Sequence, residues 1–514
     1  MSIKALLDRF LDRLPMLRLT LYALLGLVLW ALALSIVGIL HYSPLDIVAA
    51  AFLSTSVALA VNAAFARLLR AVSDPQSTLI TALILVLIVP PGIRDHAVFL
   101  AAASAVAVAS KYVVTVNKQH LFNPAALALA ALPLLFPEMT AAWWVGAAAM
   151  LPAVIVCGGL VMLKTRRTGV VLTFLAVYLL AFPSAELLDT RSFASLVDAW
   201  YLTVMQTALL FFVFIMMTDP ITIPSAKLVR PLYVGFVALL YATPELRLLN
   251  MGLTPEQALC IGNAVSFMVR PKYRLTLPLK RKYRVGADTW VFDFRLQGQR
   301  FTFAPGQFME WTTPHANPDG RGQRRYFTIA SSPAESEITI VMRIPQPSSS
   351  YKRALAEAKE GSLVVASRLA GDFVLPRNLS KPLAFLCGSV GVAPFRSMAQ
   401  YIVDKGVRCN IVLLYSCRCA DDILFSDTFE RAKSLGMRTV HLLTDRDAVP
   451  AGWRERVGRI TAEVIIAETP DFQQRTFFLS GSQPMVRDME TTLRSLGVPR
   501  RRIRTDYFDG SVDA

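Results

Sequence analysis

The chain has 514 residues, 54% of them apolar and only 18% charged, with a mean hydropathy of +0.46. That is too apolar for an average soluble protein and too long for one domain. The net charge of +16 invites a nucleic-acid partner, but the basic residues flank apolar runs instead of forming one binding stripe, so none is expected.

Apolar runs fall near 19–40, 45–66, 76–90, 97–115, 122–137, 141–163, 168–184, 199–217, 231–243 and 255–269. The first, of about 22 residues, is long enough to cross a hydrocarbon core of about 30 Å and too long for the core of a cleavable signal. Several others are short and end in Pro or Gly. Short, broken helices leave backbone groups facing a protein-lined site. The expectation is an α-helical polytopic membrane domain over residues 1–269, with about ten spans.

With the N-terminus in the cytoplasm, alternation puts Lys4, Arg9, Arg13, Arg18, Arg67, Arg70, Lys111, Lys118, Lys164, Arg166, Arg167, Lys227 and Arg230 inside. Only Arg94, Arg191 and Arg247 fall outside, and the basic VRPKYR at 269–274 places the second half inside as well. Ten spans also divide as five plus five, and an odd-numbered unit repeated in tandem returns inverted. Thr81-Ala82-Leu83 before VPPG has a counterpart in Thr207-Ala208-Leu209 before MTDP, and Asn123-Pro124-Ala125 in Asn263-Ala264-Val265. Inverted repeats place a ligand site at their interface near mid-membrane.

Asn123-Pro124 and Asp219-Pro220 read as helix-terminus signals, in which the polar side chain caps or contacts a ligand. Thr207 is expected either to bond its own helix or to face the ligand. The segments NKQHLFNPAALALA (117–130) and FIMMTDPITIPS (214–225) resemble signatures of the NqrB/RnfD family, the flavin-carrying membrane subunits of sodium-translocating NADH:quinone reductase and of the Rnf complex. The resemblance covers most of residues 70–269. It makes Asn123, Thr207, Asp219 and Asn263 the membrane-domain candidates and implies a flavin there. Members with covalent FMN use a threonine in an SGAT-like motif, absent from FPEMTAAWW (136–144), so the flavin expected is non-covalent FMN or riboflavin.

From residue 273 the texture changes to alternating strands and then to strand–helix units. RRYFTIASSP (324–333) resembles the flavin motif of the ferredoxin–NADP reductase superfamily. The resemblance implies an antiparallel β-barrel binding FAD over 270–378 and an α/β nucleotide-binding domain over 379–514. Arg325 falls where a planar guanidinium meets the pyrophosphate. Tyr326 lies within the motif, Phe327 takes the aromatic place against the isoalloxazine, and Thr328 the hydroxyl near flavin N5. The preceding FAPGQFMEW (303–311) fits the strand–turn–strand the family places before this motif. PSSSYKRAL (347–355) is a hydroxyl-rich helix start whose Ser349, Ser350 and Lys352 either cap the helix or hold the pyrophosphate.

In PLAFLCGSVGVAPFRSM (382–398), an apolar strand runs into Gly388 and Gly391, which allow close backbone approach, and Pro394 suits a first helical turn. This stretch resembles the family's GxGxxP, and its place after the flavin motif makes it specific. In FFLSGSQPMVRDM (477–489), Ser480 replaces the cysteine the family often puts beside the nicotinamide. In IRTDYFDG (503–510), Asp506 and Phe508 fall where the family puts an acid and an aromatic near the flavin. Arg418, in YSCRCADD (415–422), suits a 2′-phosphate, which Asp421 and Asp422 oppose, so NADH and NADPH stay open.

The implied function is a membrane-bound oxidoreductase: cytoplasmic NAD(P)H reduces FAD, and electrons pass to a carrier in the membrane domain. The acceptor is a quinone, a flavoprotein or an extracytoplasmic redox protein, and the location the cell (inner) membrane. Haem is not expected, because the membrane half offers only His41, His96 and His120, all near span ends. Cys417 and Cys419 form a lone CxC, so neither an iron–sulfur cluster nor a metal site is expected. The alternatives are a transporter or channel with a regulatory reductase, and a reductase merely anchored to the membrane.

Overall fold

The computed structural model describes residues 16–69, 75–116, 119–137, 139, 141–165, 167–190, 200–201, 208–219, 222–224, 229–242, 247–248, 251–269, 274–299, 301–319, 322–376 and 378–508, with backbone alone at 119, 182–190, 247–248, 251–252, 269, 507 and 508. The chain divides into two compact units, Met1–Lys272 and Tyr273–Ala514.

The first unit is helical. Among the described residues, four helices are long and apolar enough to cross a membrane: α1 (Met16–Ile36), α2 (Pro44–Leu68), α4 (Ile93–Val113) and the segment Ala148–Thr165 that contains α6 (Leu151–Thr165). Shorter apolar segments are α3 (Pro75–Ile88), Pro124–Leu134 with α5 (Pro124–Ala131), Thr168–Ala181 within α7 (Thr168–Thr190), and α8 (Val229–Ala242), followed by α9 (Pro255–Val269). Leu29, Leu45, Phe52 and Leu180 are largely exposed on these helices. Large apolar side chains exposed on such helices suit a lipid environment.

The breaks have local causes. α3 stops before Pro90-Pro91, and its last carbonyls find partners from one loop: Trp144 Nε1 donates to Val86 O (2.8 Å) and Val89 O (3.0 Å), and the Trp143 N–H to Ile88 O (2.9 Å). Trp143 takes φ +48° to do this. α5 starts at Pro124 with Asn123 as its cap, Oδ1 accepting from the Ala126 N–H at 3.2 Å. Beyond Ala208, the short helix Leu209–Phe211 widens into a π-turn over Phe212–Met216. Gly158 of α6 is held to glycine there, since a Cβ would stand 2.6 Å from the Phe214 ring.

The second unit begins with an antiparallel sheet built from β1 (Arg274–Val285), β2 (Thr289–Arg295), β3 (Phe308–Thr312), β4 (Arg324–Thr328), β5 (Glu337–Arg343) and β6 (Leu363–Ala370). Its strand order is β4-β3-β6-β1-β2-β5. The Ala330 N–H donates to Thr339 O (2.8 Å), drawing the two end strands together. Trp311, Phe292, Phe294, Leu277 and Ile340 are sealed in its core.

A second sheet, entirely parallel, follows: β7 (Leu383–Gly388), β8 (Ile411–Cys417), β9 (Met437–Leu443), β10 (Arg456–Val457), β11 (Thr476–Ser482) and β12 (Ile503–Phe508), in the order β10-β9-β8-β7-β11-β12. The helices that go with the two sheets are α10 (Ser350–Glu357), α11 (Ala393–Lys405), α12 (Ser426–Lys433), α13 (Ala462–Glu468) and α14 (Gln483–Ser495). β8 is buried along its whole length, as a central strand covered on both faces must be. The chain leaves β7 toward β8 and returns to its other side as β11, so a crevice opens at the carboxyl end of β7.

Candidate flavin and nucleotide site

β3 and β4 pair in antiparallel register, with Phe308 opposite Thr328 and Trp311 opposite Arg325. The Arg325 fork is held in place: Nη1 donates to Arg324 O (2.7 Å) and Gly322 O (3.2 Å), and Nη2 lies 3.6 Å from Asp319 Oδ1. Its guanidinium stacks 5.2 Å from the Tyr351 ring centroid. The Phe327 ring lies 5.9 Å from that same ring. Tyr326 is exposed, and its hydroxyl donates to Glu310 Oε2 at 2.8 Å. Thr328 is buried, and its Oγ1 has no hydrogen-bond partner among the described residues. A buried hydroxyl without a partner costs about 1–3 kcal/mol, and a flavin edge would relieve that cost.

Ser349 caps α10, its Oγ accepting from the Lys352 N–H at 3.4 Å. Ser350 does something the sequence reading missed. Its N–H donates to Asp319 Oδ2 and its Oγ accepts from the Asp319 N–H, both at 2.8 Å, while His315 Nε2 stands 3.1 Å from the same hydroxyl. This reciprocal pair ties the start of α10 to the loop before β4, and the turn-forming sequence Asn317-Pro318-Asp319 was the available signal. Lys352 is buried. Glu310 was also missed: buried on β3, it pairs with Arg368 (2.9 Å) and Arg324 (3.7 Å).

At the crevice, Gly391 is excluded from carrying a side chain. A Cβ would stand 2.4 Å from Ser480 O and 2.8 Å from Gly481 Cα. At Gly388 a Cβ would meet the flexible Met485 thioether at 2.4 Å. Pro394 sits in the first turn of α11. Register places Ser480 between Cys387 of β7 and Asp506 of β12. Ser480 is fully buried, and its hydroxyl too has no partner among the described residues. Burial, reinforced by the Asp372 carboxylate, pushes Asp506 up to about 6. The Phe508 side chain lies outside the described residues. Arg418 is engaged by Asp422, with Nε 3.3 Å from Oδ2. The orphan hydroxyls of Thr328 and Ser480, and the cradle at Gly391, fit a flavin and a dinucleotide.

In the first unit, Asn123 is buried as a helix cap. Asp219 Oδ2 accepts from Thr222 Oγ1 (3.3 Å), and its carbonyl from Arg167 Nη1 (3.4 Å). Asn263 is fully buried on α9: Oδ1 accepts from the Tyr233 hydroxyl of α8 at 3.0 Å, and Nδ2 has no partner among the described residues. Thr207 lies outside the described residues. Glu256, which the sequence reading passed over, is buried at the start of α9 and accepts from Trp143 Nε1 at 2.7 Å. Among the described residues no group of His, Cys, Asp and Glu is arranged to hold a metal ion.

Comparison with known proteins matches residues 18–153 to the NQR2, RnfD, RnfE family and residues 385–491 to the oxidoreductase NAD-binding domain. The glycine betaine monooxygenase reductase subunit of Pseudomonas aeruginosa is 26% identical over 236 residues, which is 45% of this chain and 64% of that protein. The protein of the same description from Chromohalobacter salexigens is 28% identical over 238 residues, 44% of this chain and 63% of its own. A flavohemoprotein of Rhodopirellula baltica is 28% identical over 156 residues, 29% and 38% of the two chains. The chain thus spans less than two thirds of the length of these relatives. It joins a segment that resembles the NQR2, RnfD, RnfE family to one that resembles the oxidoreductase NAD-binding domain.

Proposed function

We propose that this protein is a membrane-bound flavoprotein oxidoreductase that takes electrons from NAD(P)H onto FAD and passes them to a carrier in its membrane domain. The observation that carries this reading is the juxtaposition of the β4 end and the β7 crevice: Ser397 Oγ of α11 donates to Ser331 O (2.7 Å), three residues past Thr328. The relatives' description as reductase subunits supports the same reading.

FAD, when bound, accepts a hydride as an electron pair and releases electrons singly. The protein's own residues do the rest. Arg325 supplies a fixed cationic fork for the pyrophosphate, Phe327 an apolar wall, and the Thr328 hydroxyl a donor toward the flavin edge. Gly388 and Gly391 let backbone N–H groups approach the dinucleotide phosphates at the start of α11. Ser480 presents its hydroxyl to the nicotinamide side, and Asp506 holds a proton in the acidic range beside it. NADH is the donor this loop favours, because Asp422 already neutralises Arg418 and Asp421 adds further negative charge where a 2′-phosphate would sit.

In this proposal residues 1–269 form a ten-span domain with a five-plus-five inverted repeat, residues 270–378 the FAD barrel and 379–514 the nucleotide domain. Both chain ends and the reductase module face the cytoplasm of an inner membrane, and the membrane domain holds non-covalent FMN or riboflavin near Asn123, Asp219 and Asn263. Asn263 Nδ2 supports this, as a buried donor suited to a carbonyl or ring nitrogen. The test is flavin counting on pure full-length protein after acid extraction, together with flavin bleaching by NADH and NADPH. Two flavins per chain and rapid bleaching are expected. FAD alone, with no second flavin, removes the membrane carrier and favours an anchored reductase. Fluorescence that survives denaturing electrophoresis removes the non-covalent link.

A further inference from the structure

Arg396 belongs to none of the motif positions discussed above, yet it bonds the barrel from the parallel sheet's first helix. It stands in the first turn of α11, five residues past Gly391. Nη2 donates to Glu335 Oε1 at 2.9 Å, and Nη1 donates to Glu335 Oε2 and to Ala330 O (3.2 Å). Its guanidinium lies 5.5 Å from the Phe425 ring centroid. Glu335 also receives the Ser332 N–H at 2.5 Å, so this carboxylate organises the whole turn Ser331–Glu335 that follows the flavin strand. The neighbouring bond from Ser397 to Ser331 O repeats the connection one residue on. The Arg396 side chain is only 12% exposed and that of Glu335 29%, so the two-pronged bond is partly withdrawn from water.

The chain distances give this clamp its meaning. Ala330 is two residues from Thr328, whose buried hydroxyl has no partner among the described residues, and Arg396 is two residues from Pro394 of the nucleotide loop. The barrel and the parallel sheet also share an apolar core, in which Val291, Ala330 and Val341 of the barrel cluster with Phe385, Phe395 and Met398, and the clamp adds a directional bond to that non-directional contact. A guanidinium fork holds both in one geometry, which an ammonium point charge cannot do.

We propose that the Arg396–Glu335 clamp is a positioning device for hydride transfer, fixing the separation and angle between the nucleotide loop at Gly388–Pro394 and the flavin strand at Thr328. The inference rests on the oxidoreductase reading above. Neither residue needs to touch nucleotide or flavin, so the clamp acts on the chemical step and not on binding. Misplacement of reacting groups by about 1 Å costs up to about 100-fold in rate.

The test uses full-length protein carrying Arg396→Lys, Glu335→Gln and the double substitution. Flavin reduction by NADH is followed by rapid mixing and expressed per bound flavin, with NADH deuterated at the transferred position as a second substrate. Each single variant is expected to lose about ten-fold or more in reduction rate, with KM for NADH within about two-fold of the parent and an isotope effect at least as large. The double variant is expected to lose no more than the worse single one, because the two residues act as one unit. A rate per bound flavin equal to the parent's overturns the clamp, even if flavin content falls, since that is what a purely structural role produces. Additive losses in the double variant overturn it as well. If NADH fails to reduce the parent protein's flavin at all, the oxidoreductase reading falls and the clamp with it.

Discussion

Replacing Asp506 with Asn removes a carboxyl group that the fold holds against its preference. Burial is the larger cause and the neighbouring Asp372 the second, and together they move the group from 3.8 to about 6. A carboxyl raised in the folded state binds its proton more tightly there than in the unfolded chain, so stability falls as pH rises between the two values. The shift of about two units corresponds to about 3 kcal/mol at 1.36 kcal/mol per unit. Asp506 is half-buried, not sealed, and solvent screening reduces the working figure to about 1–3 kcal/mol. The penalty is small near pH 4, grows through about pH 5 and is complete above about pH 7. An amide at this position never carries it. The thermal midpoint of the Asp506→Asn variant's C-terminal unit, followed by flavin fluorescence in detergent, is therefore expected to match the parent near pH 4 and exceed it by about 2–10 °C at pH 8. A difference between the two proteins that stays constant from pH 4 to 8 refutes the reasoning, because a titrating group must leave its signature in that window.

Arg325→Ala should weaken FAD retention by about 1.5–3 kcal/mol, roughly 10- to 150-fold in Kd, as read by equilibrium dialysis of full-length protein. Unchanged affinity removes Arg325 from the site. Gly391→Ala forces a Cβ to within 2.4 Å of Ser480 O. A loss of about 1–3 kcal/mol in stability, with a raised KM for NADH, is the outcome that close backbone packing demands. Asn123→Ala deletes the cap of α5, so the detergent-solubilised protein should lose about 1 kcal/mol, seen in its thermal midpoint. Asn123→Asp, which keeps an accepting oxygen, should restore most of it.

Local physics made much of this protein legible in its residue order. The apolar runs predict helices for lipid because about 20 apolar residues match the hydrocarbon thickness, and Leu29, Leu45 and Phe52 are exposed on those helices. Pro90-Pro91 and Asn123-Pro124 mark helix ends through their own backbone chemistry, and the ends stand there. RRYFTIASSP and the GSVGVAP turn are recognisable because strand, turn and helix start are contiguous in the chain. What the tertiary structure decided comes from partners far apart in sequence. Trp144 closes the α3 carbonyls from 55 and 58 residues away, Asp319 captures Ser350 across 31, and Arg396 reaches Glu335 across 61. Glu310 shows the limit most sharply. Nothing at position 310 announces that a buried carboxylate will gather Arg324, Tyr326 and Arg368, because that depends on β3 lying between β4 and β6. Periodicity and motif spacing are properties of neighbours along the chain, whereas ion pairs and caps of this kind exist only once strand order has chosen which distant residues become neighbours.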